Sequence, residues 1–386
     1  MGETRVDLVR LLEDLADAYP GDLEETVLTE IVANALDSGA RTIALTADAA
    51  AAALTVHDDG AGMRRVELRR FHDLATSTKQ RGEGIGFAGV GIKLGLLLSD
   101  EVVTETRRGT VHTATSWTLT NRRRAPWRWI SPAGLVATNG TAVRMRLSNA
   151  LSPLLDAGYL ESTLRRHFEP LFDPYFRGIL RAHYPNGVQF AINGAPVAEA
   201  DVVGEDTSAI ELRLPRKRTP SAFGYMMRAD TAVSEERRGI AVSTYGKVIK
   251  RGWDWLGVTP ATADRITGLI EAPALATALT LNKSDFVRAG PRGALYLSYR
   301  KALQEAVMTQ LATWGDAPES DDRTRRRAAR PVERDLEAIL LDLADDFPLL
   351  ATLVEKRAGG RGKMSVASGR GIGVGEGVVG DRKSVV

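Results

Sequence analysis

The sequence predicts an α+β fold, in which a two-layer α/β sandwich is followed by a second α/β domain and a C-terminal helix. Two observations predict this class. A mostly apolar helix near the N-terminus precedes several short segments of alternating polarity, and a second group of such segments begins near residue 188. We place the first domain at residues 1–150, the second at 151–315, a charged linker and amphipathic helix at 316–358, and a disordered glycine-rich tail at 359–386.

The first domain is predicted to combine helices with one antiparallel sheet. Helical patterns cover Val6–Tyr19, about Glu24–Ser38, and Arg64–Leu74. Asp22 suits the N-cap of the second helix and Gly39 suits the position after its end. The segments with the alternation of strands are Thr42–Thr46, Ala53–Val56, Glu101–Thr106, Val111–Leu119 and Thr141–Leu147.

The second domain is predicted to contain its own sheet and a long helix. Asn193-Gly194 is typical of a two-residue hairpin turn, so the alternating segments around and after it predict a second sheet. Helical periodicity over Ala294–Trp314 closes this domain, and a last helix is predicted over Val332–Lys356. The predicted strands of the second sheet are Val188–Ile192, Ile210–Leu214, Ala222–Arg228 and Ile240–Thr244.

Composition excludes several classes of site. The 386 residues include no cysteine, so disulfides and thiolate metal sites are excluded. No apolar run approaches the roughly 20 residues that cross a bilayer, and the N-terminus lacks the apolar segment of a signal peptide, so we expect a cytoplasmic protein without membrane partners. A formal net charge of +2 does not by itself predict nucleic-acid binding. Because the tail ends abruptly, we expect the natural protein to continue beyond Val386.

A polar stripe lies on the otherwise apolar second helix. Glu30, Asn34 and Asp37 stand at positions i, i+4 and i+7, which project from one face of a helix. A carboxylate, a carboxamide and a second carboxylate aligned in this way can serve a proton, a metal ion and a nucleotide together. Taken alone, the three residues also fit a solvated helix face.

Two glycine-rich motifs follow the stripe. The first begins with Asp58, whose carboxylate can accept a hydrogen bond from the exocyclic amine of adenine, whereas guanine would place a carbonyl oxygen against it. Its glycines leave room for a flat base on the backbone. The second motif resembles an anion-binding nest followed by the positive end of a helix. The two motifs comprise Asp58, Gly60, Gly62 and Met63, and then Gly86, Phe87, Ala88, Gly89, Val90, Gly91 and Ile92.

The chemistry suggested by these residues is phosphate and magnesium binding. Ser77, Thr78 and Lys79 supply hydroxyls and an ammonium on a loop before the second motif. Magnesium prefers oxygen ligands and keeps several waters, so the Asn34 carboxamide and phosphate oxygens suffice to hold it. Glu30, one turn away, is placed to take a proton from an attacking water.

Residues 30–147 resemble the GHKL superfamily, which includes gyrase B, the heat-shock chaperone, histidine kinases and MutL. The resemblance rests on Glu-xxx-Asn-xx-Asp, Asp-x-Gly-x-Gly, a glycine-rich lid and Gly140-Thr141, in that order. It implies a Bergerat-type ATP-binding fold with ATP and Mg²⁺ as ligands. In it Glu30 would be the general base and Asn34 the metal ligand, Asp58 would bind adenine, and Thr141 would support the base from the opposite side.

The second domain is similar to the transducer of microrchidia-type (MORC) and chaperone-like ATPases. The similarity rests on the segments 239–249, 268–271 and 281–286. In that group a transducer lysine reaches the γ-phosphate, and Lys283 is the match, which makes it a second catalytic candidate. The resemblance also implies lid closure over the triphosphate and an ATP-dependent homodimer formed through the N-terminal regions.

Several alternatives remain open at this stage. The spacing Gly84-x-Gly86-x-x-Gly89 formally satisfies a dinucleotide fingerprint, but it follows a polar loop rather than a strand. A histidine-kinase function is disfavoured, because no histidine precedes the stripe. Lys79, Lys283 and the arginine clusters also fit solvated charges. For the biological output, we favour a DNA-associated or defence ATPase; a chaperone acting on client proteins and a nucleotide-sensing scaffold are the alternatives.

Overall fold

The structure of the chain is a computed structural model that describes residues 6–74, 82–86, 89–200, 206–215 and 218–317, and the backbone of 354–355 and 363–364. The chain divides into two compact units, Met1–Ala317 and Pro318–Val386. The first unit contains two large sheets with helices, so the predicted α+β class is confirmed.

The first sheet has eight strands in the order β5-β4-β3-β6-β2-β1-β7-β8. All neighbouring strands are antiparallel except β1 and β7, which run parallel. The predicted strands of residues 42–147 are confirmed, and β5, a four-residue edge strand, is added to them. The strands are β1 (Thr42–Asp48), β2 (Ala53–Asp58), β3 (Ser99–Arg108), β4 (Val111–Trp117), β5 (Trp127–Ile130), β6 (Gly140–Leu147), β7 (Gln189–Ile192) and β8 (Ala195–Pro196).

Helices pack their apolar residues against this sheet to form the first core. The central helix, α2 (Leu23–Asp37), is buried on most of its surface, since ten of its fifteen residues are buried. Its N-cap residue Asp22 makes no capping hydrogen bond through its side chain. The acidic side chains of Glu24 and Glu25 in the first turn instead interact favourably with the positive end of the helix dipole. The other helices of this layer are α1 (Leu8–Ala16), α3 (Arg65–Phe71) and α4 (Gly91–Leu98).

The segment after residue 150 contributes to both sheets. Three helices, α5 (Ala157–His167), α6 (Glu169–Phe172) and α7 (Phe176–Leu180), lead into β7. The Asn193-Gly194 turn is confirmed, with positive φ at both residues. The prediction that Val188–Ile192 belongs to the second sheet is wrong, because β7 pairs with β1 and buries Phe190 and Ile192 in the first core.

The second sheet has five strands in the order β12-β11-β13-β10-β9, with β11 and β13 parallel. The helix α8 (Gly290–Trp314) packs Tyr296, Tyr299 and Leu303 into a second core with this sheet. It begins four residues before the predicted start and ends at Gly315 in the left-handed conformation. The strands are β9 (Asp206–Leu212), β10 (Ala222–Arg228), β11 (Gly239–Thr244), β12 (Lys247–Lys250) and β13 (Ile266–Glu271).

Little of the second unit is described. Its four described residues form a two-stranded antiparallel sheet of β14 (Val354–Glu355) and β15 (Lys363–Met364). The predicted helix therefore does not include Val354 and Glu355, and the tail predicted to be disordered contains a strand, because these residues pair with Met364 and Lys363. Residues 332–353 of that predicted helix lie outside the described part of the chain. Among the helices of the described residues, none combines the length and the hydropathy of a membrane span.

Candidate nucleotide site

A cavity of about 500 Å³ lies against the polar face of α2. Among the sequence-predicted residues, Gly60 is not part of its lining, and Ser77, Thr78, Lys79, Phe87 and Ala88 lie outside the described residues. The structure brings the others together from separate parts of the chain. They are Glu30, Asn34, Asp37, Asp58, Gly62, Met63, Gly86, Gly89, Val90, Gly91, Ile92, Thr141 and Lys283.

Asp58 is the last residue of β2, and its side chain is only 7% exposed. Its Oδ1 accepts hydrogen bonds from the Ser38 hydroxyl at 3.2 Å and from the Gly60 amide at 2.9 Å. Burial raises the pKa of Asp58 to about 6, although these hydrogen bonds oppose the shift. Ser38 is a residue that the sequence reasoning missed. The feature that could have identified Ser38 from the sequence is its position directly after the polar stripe, at the C-cap of α2.

Gly60 supports this carboxylate without lining the cavity itself. A Cβ at Gly60 would stand 1.8 Å from the Ser38 hydroxyl oxygen and 2.9 Å from Asp58 Oδ1. Any side chain there would break the contact between the two residues. Gly60 therefore acts through Asp58 and Ser38, and Gly62, with a φ of +66°, is the motif glycine that lines the cavity.

Thr141 lies beside Asp58 in the β2–β6 register and joins a small hydroxyl network. The Thr106 hydroxyl donates to the Gly140 carbonyl at 3.0 Å and accepts from the Met63 amide at 2.8 Å. Since the single hydroxyl proton of Thr106 is already donated, the Thr141 hydroxyl is the donor in the 3.1 Å contact between the two threonines. Thr106 was also missed, and no local pattern marks it.

Asp37 holds the glycine-rich segment in place. Its carboxylate accepts from the amide of Ile85 at 2.8 Å and from that of Gly86 at 2.7 Å. Hydrogen bonds to an ionised acceptor are among the stronger ones in proteins. The Gly86 amide is thus already used by Asp37, and the amide donors next to the cavity belong to the start of α4, where Val90 supplies no side-chain cap.

Glu30 forms a buried ion pair with Lys283. The Lys283 Nζ lies 2.7 Å from Glu30 Oε1 and 2.5 Å from Oε2, and the two residues are 4% and 2% exposed. Lys283 adopts a left-handed backbone conformation with a φ of 57°, which is unfavourable for a side-chain-bearing residue and recurs at functional sites. The turn that carries it is fixed by Thr280, whose hydroxyl contacts Asn282 at 2.6 Å.

Two further lysines stand near Glu30. Lys247 Nζ is 3.9 Å from Glu30 Oε1, and burial lowers the pKa of Lys247 to about 8. Lys93, on α4, lines the cavity, and burial lowers its pKa to about 8 as well. Sequence reasoning assigned no role to either residue. The signal for Lys93 was a single charge in the apolar run Gly91–Leu98.

Gly91 determines how closely α4 approaches α2. A Cβ at this position would stand 2.2 Å from Glu30 Cγ and 2.4 Å from Glu30 Cβ.

We expect Gly91→Ala to lower the free energy of unfolding by about 1–3 kcal/mol, since the helices must separate. Urea unfolding measures this effect. Gly178→Ala is the matched control, because nothing lies within 4 Å of its Cβ in α7, and equal stabilities of the two variants would contradict the expectation.

The sequence matches the model of the family described as histidine kinase-, DNA gyrase B-, and HSP90-like ATPase over residues 22–132. This range contains the polar stripe of α2, Asp58 and the glycine-rich segment, whereas Thr141 and Lys283 lie after it. No curated protein matches the chain. With the α+β architecture and the cavity above, this match shows that residues 22–132 carry an ATPase domain of the GHKL type.

Proposed function

We propose that the protein hydrolyses ATP with Mg²⁺, and that hydrolysis is coupled to lid closure and to dimerisation through the N-terminal regions. The observation that carries the proposal is the buried pair of Glu30 and Lys283 on the wall of a cavity that also contains Asp58. A proton acceptor, a cation for the phosphates and an adenine-recognition carboxylate are the groups that ATP hydrolysis requires in one site.

The proposed reaction is an in-line displacement by water. The water oxygen attacks the γ-phosphorus and passes a proton to the Glu30 carboxylate. The bond between the γ-phosphorus and the bridging oxygen breaks, and its electrons leave with ADP. Catalysis depends mainly on positioning and charge, because the protein forms no covalent intermediate.

The ion pair of Glu30 suggests how ATP prepares its own hydrolysis. A carboxylate held by an ammonium at 2.5 Å is a weak proton acceptor. The γ-phosphate is a stronger competitor for the Lys283 ammonium, because it carries more charge. We therefore propose that ATP draws Lys283 from Glu30, which releases the base only when a triphosphate is present.

Asn34 is the proposed protein ligand of Mg²⁺. The described residues contain no group of three or more His, Asp or Glu side chains that could enclose a metal ion. A single carboxamide oxygen on the cavity wall fits an ion that takes its remaining ligands from phosphate and water. The metal would neutralise charge on the phosphates when bound.

For the biological output we propose a DNA-associated or defence function, supported by the resemblance of residues 239–249 and 281–286 to microrchidia-type transducers. The chaperone-like alternative and the nucleotide-sensing scaffold differ from this proposal in what stimulates turnover.

Phosphate release by the full chain tests the proposal. We expect slow, Mg²⁺-dependent release of phosphate that EDTA abolishes. Duplex DNA should stimulate this release, and the stimulation should weaken as the salt concentration rises from roughly 50 to 200 mM, because salt competes with ionic contacts to the DNA phosphates. Light scattering should show a dimer with ATP and a monomer with ADP. Stimulation by unfolded protein instead of DNA would favour the chaperone, and ATP-dependent dimerisation without phosphate release would favour the scaffold.

A further inference from the structure

Lys247 lies next to Glu30 but outside the nucleotide cavity. Its Nζ is 3.9 Å from Glu30 Oε1, its side chain is 7% exposed, and it is not among the described residues that line the cavity. Lys283, in contrast, contacts the same carboxylate and lines the cavity. The two lysines therefore hold Glu30 from positions that differ in their access to a bound phosphate.

The hairpin that carries Lys247 is fixed by a buried carboxylate. Glu271, which is 0% exposed, accepts from the amides of Tyr245 at 2.5 Å and Gly246 at 3.1 Å, and from the Ser243 hydroxyl at 2.6 Å. Tyr245 and Gly246 form the turn between β11 and β12, and both have positive φ. Lys247 follows directly, so the hydrogen bonds of Glu271 fix the turn immediately before it.

The charges around Lys247 come from three elements besides its own. Helix α2 contributes Glu30, Asp37 and Glu25, α5 contributes His167, and the turn after β13 contributes Lys283. Glu25 already binds Arg166 at 2.5 Å and also contacts His167. The Glu30 carboxylate lies within 4 Å of the Lys247 ammonium, so the two charges interact directly.

We propose that Lys247 is a positioning residue that keeps Glu30 ionised and in place when Lys283 moves to the γ-phosphate. This inference rests on the proposed function, in which Glu30 is the general base. A buried carboxylate from which a close cation is withdrawn takes up a proton more readily, and a protonated Glu30 cannot accept one from water. Lys247 keeps its place beside Glu30 and prevents this protonation, while Lys283 moves from Glu30 to the phosphate.

The test is the pH dependence of kcat for the Lys247→Met variant. We expect the acid limb of kcat to move upward by about one pH unit, since a cation within about 4–6 Å favours the ionised carboxylate by at least that amount. The KM for ATP should change little, because Lys247 does not line the cavity. Lys247→Arg should restore the limb, and Lys301→Met, at a side chain that is 78% exposed, is the matched control.

An acid limb that stays in place while kcat falls equally at every pH would overturn the inference, because it would show a role in packing alone. If Lys247→Met does not fold, folding of the double variant Lys247→Met/Glu30→Gln is measured instead. A folded double variant supports the charge pairing of these two residues, since it removes both partners together. A double variant that also fails to fold overturns the inference.

The proposed function can fail separately from this inference. If Glu30→Gln hydrolyses ATP as fast as the wild type, Glu30 is not the base, and the proposed function fails whatever Lys247 does. If Glu30→Gln is inactive while Lys247→Met keeps the acid limb of the wild type, the proposed function stands and only the role of Lys247 is lost.

Discussion

Glu30→Gln is expected to lower kcat for ATP hydrolysis by about 10²–10⁴-fold, the usual contribution of a positioned general base. ATP binding should persist, because the amide occupies the same volume and leaves Asn34 and Asp58 unchanged. Binding is measured by calorimetry in the presence of Mg²⁺, and turnover by phosphate release. Glu161→Gln, which removes a carboxylate that is 45% exposed on α5, is the matched control and should hydrolyse ATP at the wild-type rate.

The stability of the same variant tests the exchange of Lys283 between Glu30 and phosphate. Removing one partner of a buried ion pair costs about 3–5 kcal/mol, and the loss for Gln should be smaller because its oxygen still accepts from Lys283. Glu30→Ala would leave both Lys283 and Lys247 without this carboxylate and should lose more. ATP should raise the melting temperature of Glu30→Gln more than that of the wild type, because Lys283 no longer has to leave an ion pair.

Wild-type turnover by Glu30→Gln would remove Glu30 from the mechanism. A loss of hydrolysis together with an equal loss of ATP binding would also contradict the expectation, since it would place Glu30 in nucleotide binding rather than in the chemical step. If ATP raised the melting temperatures of the wild type and of Glu30→Gln equally, Glu30 could still be the base, but the proposed movement of Lys283 from Glu30 to phosphate would be rejected.

The part of the site that is local in sequence was predictable. Glu30, Asn34 and Asp37 face one cavity because helical geometry alone sets their spacing. Asp58 ends a strand, as its alternating neighbours predicted. The function of Asp37 was harder to foresee, since its contacts are the amides of Ile85 and Gly86, nearly fifty residues away in the sequence.

The contacts between distant segments could not be predicted from these patterns. Lys283 was a candidate for phosphate binding through its resemblance to a transducer lysine, but its pairing with Glu30 spans 253 positions and depends on how the two sheets pack. Lys247 belongs to the same resemblance and received no role, because a lysine at a strand start usually faces solvent. Its burial follows from the Tyr245-Gly246 turn, which Glu271 fixes.

The fold shows the same limit of local patterns. Alternating polarity identified β7 as a strand, but alternation carries no information about which sheet a strand joins. The strand pairs with β1 because Phe190 and Ile192 complete the first core, which the sequence around residue 190 does not reveal. In contrast, the long helix α8 was found within four residues of its start, since its apolar period extends over many turns.

Asp58→Asn is expected to reduce the affinity for ATP by about 10²–10⁴-fold, because a site built around a buried hydrogen bond rejects a mismatched partner strongly. The Gly60 amide donates to Oδ1 and can donate only to an oxygen, so the amide oxygen of Asn would keep that position. Its NH₂ group would then face the exocyclic amine of adenine, which places two donors against each other. Guanine presents a carbonyl there, so the ratio of ATP to GTP affinity should fall.

The stability of Asp58→Asn separates this loss from unfolding. The pKa of Asp58 is raised by burial to about 6, so the folded protein binds this proton more tightly than the unfolded chain. The stabilisation by that proton is fully present below the unfolded pKa near 4, and it is lost as the pH rises through about 6. At neutral pH the ionised carboxylate therefore costs up to about 3 kcal/mol. Asn removes that cost, so the variant should be as stable as the wild type or more so.

The pH dependence of binding completes the test of Asp58. In the proposed complex adenine donates to the ionised carboxylate, so the ATP affinity of the wild type should decline as the pH falls below about 6, by at most tenfold per unit. Asp58→Asn has no proton to gain at this position and should lack the decline. Asp100→Asn, at a carboxylate that is 51% exposed, should keep both the affinity and the pH dependence of the wild type. A pH-independent wild type would show that the Asp58 carboxylate does not hold the base.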